Sequence, residues 1–208
     1  MKITIAAATE TELTEIRQCA PANHILNYKV HGVGIMAAAF HLQKIAAEKP
    51  DLIIQCGIAG SFNPGISIGK TVLVEKEMTD TGAEENSTFL TMFDLGLALQ
   101  NDFPFENGLL PCPFLKNMDF SLRKVTALTV NCSSGTDETA KKRRNKFGAD
   151  IETMEGAALH YVCLMLQIPF LQIRTISNMV EKRNKLNWNI PLALKNNAVE
   201  LMRILEKI

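Results

Sequence analysis

The chain alternates between short apolar runs and longer stretches in which apolar residues recur every three or four positions. The short runs, several of them rich in β-branched residues, predict strands, and the recurring pattern predicts helices. The predicted strands cover residues 3–8, 24–30, 51–56, 70–75, 124–131 and 170–176. The predicted helices run from Thr9 to about Cys19 and over residues 32–49, 136–146, 154–166 and 191–208. Residues 80–120 are irregular and predict mostly loop.

Strands that alternate with helices indicate an α/β fold around a mostly parallel sheet. In such sheets, ligands bind beyond the carboxyl ends of the strands. The sequence shows neither an internal repeat nor a low-complexity linker, so we expect one domain over residues 1–208.

The charge balance bears on the partners of the chain. It has 22 Lys and Arg and 22 Asp and Glu, so its formal charge is zero. A nucleic-acid binder usually carries a basic surplus that neutralises phosphates, so we expect no nucleic-acid partner. The basic run KKRRNK at residues 141–146 is typical of a solvated helix end. Five cysteines, an odd number without CxxC spacing, predict reduced thiols in the cytoplasm.

Several patterns exclude other classes of site. The N-terminal apolar run stops at Glu10, too early for a signal peptide, and no stretch is long enough to cross a membrane. HGVGIMA at residues 31–37 fits the dinucleotide motif but follows the second strand, although its backbone amides could hold an anion. GISIGKT at residues 65–71 lacks the spacing of a P-loop. The four histidines lack metal-ligand spacing, so we expect neither a cofactor nor a metal.

Three polar residues lie where predicted strands end or helices begin. Glu12 follows the first strand, Glu155 opens the helix in IETMEGAAL, and Asn178 follows the last strand in LQIRTISNMV. Each alone is typical of a helix start or a loop. If the sheet is parallel, however, all three project from one edge, which is the geometry of a single site.

A resemblance covers essentially the whole chain in order. The segments MKITIAAATETEL, GVGIMAAA, CGIAGSF, ETMEGAALHYVC and PFLQIRTISN resemble the nucleoside phosphorylase and nucleosidase superfamily. The resemblance implies a three-layer α/β/α sandwich with a central mixed, partly barrel-like sheet, and a homodimer. It also implies that the chain is an enzyme that cleaves the N-glycosidic bond of a small-molecule purine nucleoside.

The resemblance also implies roles for individual residues. Glu12 matches the acid that activates the attacking water, and Glu155 matches the acid that holds the ribose hydroxyls. Met154 matches the residue that packs on the sugar. Ala59 and Gly60, in a predicted turn after the third strand, are expected near the sugar and base.

Two departures from the family pattern refine this expectation. Adenine-releasing members carry an Asp where this chain has Asn178, and an amide suits a 6-oxopurine, because it can donate to O6 and accept from a protonated N7. Phosphorylases carry an Arg where this chain has Gln55, so water is expected as the nucleophile instead of phosphate. Glu10 is an alternative to Glu12, although the register favours Glu12.

The stretches TGAEENSTFLTMFDLGL, FPFENGLL and NWNIPLAL resemble the futalosine hydrolase family. This resemblance implies cleavage of futalosine to hypoxanthine and dehypoxanthinyl futalosine, a step of menaquinone biosynthesis. Phe89 and Trp188, with Phe93, Phe103 and Phe105, could form an apolar wall for the aromatic 5′ substituent, and Arg183 or Lys182 could supply a charge. Three alternatives stay open: a phosphate-dependent purine phosphorylase, a methylthioadenosine or adenosylhomocysteine type of nucleosidase, and a non-catalytic purine-binding module.

Overall fold

The computed structural model describes residues 1–18 and 24–208. The strands are β1 Lys2–Ala7, β2 Ile25–Val30, β3 Leu52–Ser61, β4 Thr71–Thr79, β5 Gly82–Glu85, β6 Thr88–Thr91, β7 Leu110–Pro111, β8 Lys124–Thr129, β9 Ile151–Thr153 and β10 Phe170–Met179. The helices are α1 Glu10–Arg17, α2 Ile35–Ala47, α3 Asp137–Phe147, α4 Gly156–Met165 and α5 Ile190–Leu205. Two 3₁₀ turns cover Pro113–Asn117 and Lys185–Asn187. The predicted end of the first helix at Cys19 lies outside the described residues.

The main sheet is partly closed into a barrel. Its strands follow the order β10-β4-β8-β9-β3-β1-β2, and β10 also pairs with β3, which closes a ring of five strands. The sheet is mixed, because β4 is antiparallel to β10, and β9 is antiparallel to β3. The expected mixed, barrel-like α/β fold is therefore confirmed. Most neighbouring strands pair in parallel, as the alternation of elements indicated, but β4, β8 and β9 run opposite to β1, β2, β3 and β10.

Apolar side chains fill two main regions. A small cluster takes residues from all five barrel strands and fills the barrel, including Ala59, Ile151 and Ile176. A larger cluster joins the sheet to α1, α2, α4 and α5. The helices pack in pairs, α1 with α5 and α2 with α4. Burial of this apolar surface holds the strand ends in fixed positions, on which the site depends.

Strands β3 and β10 are longer than the sequence pattern predicts. They pair in parallel from Ile53 opposite Phe170 to Ser61 opposite Met179, with a bulge near Ser177. The predicted turn that contains Ala59 and Gly60 is therefore wrong, because these residues lie inside β3. Asn178 likewise lies inside β10 and not after it. Hydrogen bonding between the two strands keeps this glycine-containing segment extended.

None of the helices in residues 1–18 and 24–208 is both long enough and apolar enough to span a bilayer.

Candidate active site

A cavity of about 420 Å³ opens beside β3, β9 and β10, where the loop after β1 and the start of α5 also meet it. Its volume lies within the usual range for small-molecule sites, roughly 300–1,000 Å³. Seven of the eight predicted site residues line the cavity: Glu12, Ala59, Gly60, Met154, Glu155, Asn178 and Trp188. The structure therefore brings together side chains that are up to 176 positions apart in the predicted set.

Glu12 is held by donors from two segments. Thr9 caps α1, and the Glu12 carboxylate returns to it, with Oε2 accepting from Thr9 N at 3.1 Å and Thr9 Oγ1 at 3.2 Å. Oε1 accepts from Ile58 N on β3 at 3.2 Å. Thr9 and Glu12 thus form a capping box, which aims the Glu12 carboxylate at the cavity. The alternative acid, Glu10, is exposed, pairs with Arg17 and does not line the cavity.

Glu155 is buried at the start of α4, with only 5% of its surface exposed. Its Oε1 accepts a hydrogen bond of 2.9 Å from Gly34 N, at the start of α2. Gly32 and Gly34 both have positive φ, 84° and 85°, which suits glycine and turns the Gly34 amide toward Glu155. The anion beside the amides of the HGVGIMA loop is therefore this carboxylate. Burial raises the pKa of Glu155, and the positive charge of Arg174 opposes the rise.

Glu155 follows a strand that is antiparallel to β3, so it does not project from the carboxyl edge of a parallel sheet as expected. Strand β9 runs antiparallel to β3, with Ile151 opposite Ser61 and Glu152 opposite Gly60. The chain therefore enters β9 level with the carboxyl end of β3 and runs back along it. Because β9 has only three residues, Glu155 still lies beside the cavity.

Asn178 lies near the carboxyl end of β10, opposite Gly60 on β3. Ser177 Oγ donates to Asn178 Oδ1 at 2.7 Å, and Asn178 Nδ2 donates to Met179 O at 2.9 Å. These bonds fix which end of the amide is the acceptor. They leave one acceptor position on Oδ1 and one hydrogen on Nδ2 for a ligand.

A buried cation lies behind the carboxylates. Arg174 is 1% exposed and donates to Gln55 Oε1 at 2.5 Å. Gln55 in turn contacts His31 Nε2 at 3.0 Å, and burial lowers the pKa of His31 to about 4. A Cβ on Gly57 would overlap Arg174 Nη1 and lie 2.6 Å from Glu12 Oε1, so the two charged groups meet on the same face of β3, over a residue without a side chain. Arg174 lies in the segment PFLQIRTISN, whose resemblance to the superfamily implied no role for it.

The family resemblance places Gln55 where phosphorylases carry an arginine. Gln55 is fully buried and does not line the cavity. The charged residues that do line it are Glu12, Glu152, Glu155 and Arg183. Three carboxylates against one cation disfavour a bound phosphate dianion through like-charge repulsion. Within the described residues, no group of three or more His, Cys, Asp or Glu side chains could hold a metal ion.

The aromatic residues divide between the cavity and the loops. Trp188 lines the cavity, and the Arg183 guanidinium lies 5.0 Å from the centre of its ring. Phe89 does not line the cavity, because β6 places it against Phe147, with ring centres 6.0 Å apart. Phe93 and Phe105 stack edge to face in the loop, Phe103 is exposed, and Lys182 is also absent from the lining.

Residues 23–208 match the sequence model of the Phosphorylase superfamily. The chain belongs to this superfamily, as the sequence motifs predicted.

Individual relatives divide between two activities. The chain is 33% identical over 183 residues to a futalosine hydrolase of Thermus thermophilus, which covers 86% of this chain and 80% of that protein. It is 27% identical to a 5′-methylthioadenosine/S-adenosylhomocysteine nucleosidase of Buchnera aphidicola, covering 100% of this chain and 97% of the relative. The predicted class of enzyme, a purine nucleosidase, agrees with these names.

The solved structures support the fold. A nucleosidase of the same name from S. pneumoniae, bound to a transition-state inhibitor, superposes with a TM-score of 0.83 at 20% identity and covers 100% of this chain and 99% of that chain. A futalosine hydrolase mutant of Helicobacter pylori gives 0.80 at 16% identity, covering 100% of both chains.

Proposed function

We propose that the protein hydrolyses the N-glycosidic bond of a 6-oxopurine nucleoside with a bulky 5′ substituent, and that this substrate is futalosine. The products are hypoxanthine and dehypoxanthinyl futalosine, which places the reaction in menaquinone biosynthesis. The observation that carries the proposal is the amide of Asn178 in the same cavity as Glu12 and Glu155. The 33% identity to a futalosine hydrolase supports the choice of substrate.

Asn178 binds the leaving base. As the glycosidic bond breaks, negative charge moves onto the purine, and protonation at N7 relieves it. The acceptor position left on Oδ1 suits an N7–H, and the hydrogen left on Nδ2 suits O6. Ser177 holds this orientation, because its hydroxyl donates to Oδ1. An amide does not supply the N7 proton, so that proton comes from solvent or another group.

Glu155 and Met154 bind the sugar. The ribose gains positive character as the base leaves, in the manner of glycoside hydrolysis. The Glu155 carboxylate can accept hydrogen bonds from the ribose hydroxyls and offset this positive charge. Met154 lines the cavity beside Glu155 and can pack on the sugar ring.

Glu12 supplies the base for the water. Its carboxylate is fixed by Thr9 and Ile58, and such a fixed group can take a proton from a water molecule as it attacks the sugar. Arg174, which lies beside Glu12 over Gly57, adds a buried positive charge that supports the two carboxylates. Water is favoured over phosphate because the cavity lining has three carboxylates.

The 5′ substituent is assigned to the mouth of the cavity. Trp188 gives an apolar, aromatic surface there, and Arg183 beside it gives a cation for a carboxylate. Ile190 and Leu194 of α5 extend the apolar surface.

One alternative has specific support. The Buchnera nucleosidase matches the chain over its full length, so an adenine-releasing nucleosidase that tolerates Asn178 is the second candidate. A phosphate-dependent phosphorylase and a non-catalytic purine-binding module are the remaining alternatives, and both are outcomes of the measurements below.

We also propose that the protein acts as a homodimer in the cytoplasm. Met36 and Phe40 on α2 are 86% and 57% exposed, and Tyr161 and Met165 on the neighbouring α4 are nearly half exposed. Apolar side chains gathered on adjacent helices are typical of a subunit interface. Four described cysteines, Cys56, Cys112, Cys132 and Cys163, are free thiols, as expected in a reducing compartment.

Substitution of Asn178 by Asp tests base selection. The carboxylate faces O6 with like polarity, so kcat/KM for futalosine should fall by about 10- to 100-fold, the range expected for an unmatched buried polar contact. Cleavage of methylthioadenosine should fall less or rise. The control is Asn145→Asp, which adds the same charge to the exposed face of α3. An unchanged ratio of the two rates would show that Asn178 does not read position 6.

A further inference from the structure

Three adjacent strands place Glu152 and Asn178 on either side of a residue without a side chain. Gly60 on β3 is opposite Glu152 on β9 and also opposite Asn178 on β10. Directly paired residues point to the same face of a sheet. Ala59 and Ile151 fill the barrel, so their neighbours Gly60 and Glu152 point away from it, toward the cavity.

Because Gly60 has no side chain, Val180 and Asn178 approach its backbone closely and form the floor of the space beside Glu152. A Cβ at this position would lie 3.3 Å from Asn178 Nδ2 and 2.7 Å from Val180 Cγ2. Neighbouring strands are about 4.8 Å apart, so Glu152 and Asn178 flank a slot about 10 Å wide at the backbone. A flat purine base fits such a slot, with one polar side chain at each end.

The Glu152 carboxylate is fixed by its own partners. Ser134 donates twice, from its N–H to Oε1 at 2.9 Å and from its hydroxyl to Oε2 at 2.6 Å. Arg143 Nη1 lies 3.5 Å from Oε2 and adds a positive charge, and Asp80 holds the other end of that guanidinium at 2.6 Å. Arg143, within the run predicted as a solvated helix end, is therefore buried. A carboxylate oxygen accepts two hydrogen bonds, so Glu152 keeps acceptor capacity toward the cavity.

The Watson–Crick edge of the base distinguishes the two purine classes. A 6-oxopurine carries a donor, N1–H, next to O6, whereas adenine carries an acceptor, N1, next to its amino group. We infer that Glu152 is a second specificity-determining residue, which accepts a hydrogen bond from N1–H of a 6-oxopurine while Asn178 reads O6 and N7. Burial raises the pKa of Glu152, and the hydrogen bonds from Ser134 and the charge of Arg143 oppose the rise. In its ionised form, the carboxylate strengthens the bond to N1–H and repels the N1 lone pair of adenine. The inference rests on the proposed function and extends it.

Binding of free bases tests the inference without requiring turnover. Isothermal titration of hypoxanthine and adenine into the wild-type chain and Glu152→Gln gives the ratio of the two dissociation constants. We expect Glu152→Gln to reduce the preference for hypoxanthine about 30-fold, since hydrogen bonds to charged groups are the strong ones. Asp80→Asn is the control, because it loosens Arg143 but leaves Glu152 in place, and its ratio should match that of the wild type.

The outcomes separate this inference from the proposed function. If the ratio in Glu152→Gln equals that of the wild type while futalosine is still cleaved, the inference is wrong and the proposed function stands. If Asp80→Asn shifts the ratio of dissociation constants equally, Glu152 acts only by holding Ser134 and Arg143 in place, which also overturns the inference. If the wild type binds neither base and releases none, both fail. Should Glu152→Gln not fold, equal affinity of the wild type for 1-methylhypoxanthine and hypoxanthine would overturn the inference.

Discussion

The side chain of Glu12 has a structural and a proposed chemical role at once. As the third residue of α1 it completes the capping box with Thr9, and the same bond fixes its carboxylate at the cavity. A helix-start acid and a catalytic base are both expected of Glu12 from its position, and one geometry accommodates the two roles. Glu10, two positions earlier, has the same chemistry but lies on the outer face of α1 with Arg17.

This pair provides a matched test of the general base. Glu12→Gln keeps one acceptor oxygen, which can serve either Thr9 N–H or Ile58 N–H but not both, so some stability is lost while the fold should persist. The amide cannot take a proton from water. We expect kcat for futalosine to fall by about 10²- to 10⁴-fold with little change in KM. Steady-state kinetics of Glu12→Gln and of the control Glu10→Gln measure this difference. If Glu12→Gln retained the wild-type rate, or if Glu10→Gln lost it, the assignment would be wrong.

At the scale of elements, the start of α4 depends on a buried polar cluster. Ala157 N donates to Thr129 Oγ1 at 2.8 Å, and that hydroxyl donates to Glu77 Oε1 at 2.8 Å. A Cβ on Gly156 would overlap the other Glu77 oxygen, so glycine is required where α4 begins. Glu77 is fully buried, and burial raises its pKa from 4.5 to about 7, although the hydrogen bond from Thr129 opposes the rise.

This raised pKa predicts a dependence of stability on pH. Between pH 4.5 and about 7 the folded chain keeps a proton on Glu77 that the unfolded chain has released. The stabilisation from Glu77 is therefore complete below pH 4.5 and is lost as the pH rises through 7. A difference of about 2.5 pKa units corresponds to about 3 kcal/mol. Glu77→Gln stays neutral, so its free energy of unfolding should gain about this amount relative to wild type between pH 4.5 and 8.

Urea unfolding of both proteins across this pH range measures the difference. Burial lowers the pKa values of His31 and His160 to about 4, which gives the opposite trend, but both histidines are present in both proteins and cancel in the difference. A difference that stays flat from pH 4.5 to 8 would contradict the account of Glu77.

The elements also show what the sequence could and could not predict. Strands β1 and β2 and helices α2, α3 and α5 lie close to their predicted positions, because their apolar patterns are long and clear. The end of β3 was missed because its GIAGS segment has no strand pattern and stays extended only through its pairing with β10. The hairpin of β5 and β6 was missed too. In the structure, Asn86 and Ser87 at its turn both have positive φ, as tight hairpin turns require.

The site residues also divide into those that the sequence could predict and those that only the fold reveals. Glu12, Glu155 and Asn178 could be predicted because each lies beside a strand end, and the superfamily motifs gave each a role. Glu152 and Arg174 were not assigned, because only the closing of the barrel brings β9 and β10 to opposite sides of β3. Phe89 was assigned from its residue type alone, and the hairpin places it against Phe147.

At the scale of the whole molecule, the neutral chain places three carboxylates on the lining of one cavity, with Arg143 and Arg174 buried behind them. Total charge is zero, yet three of the four charged residues that line the cavity are carboxylates. Such a cavity suits a sugar that becomes positive during the reaction and disfavours phosphate as a co-substrate. We propose that residues 1–208 form one nucleosidase domain, in keeping with the match of residues 23–208 to the superfamily.

Base release from futalosine tests the central claim most directly. Purified protein is incubated with futalosine, with and without phosphate, and the products are separated by chromatography, with inosine and methylthioadenosine as comparison substrates. The account predicts that hypoxanthine appears from futalosine at the same rate in the absence of phosphate. Release that strictly required phosphate, adenine release from methylthioadenosine alone, or no release from any of the three nucleosides would contradict it.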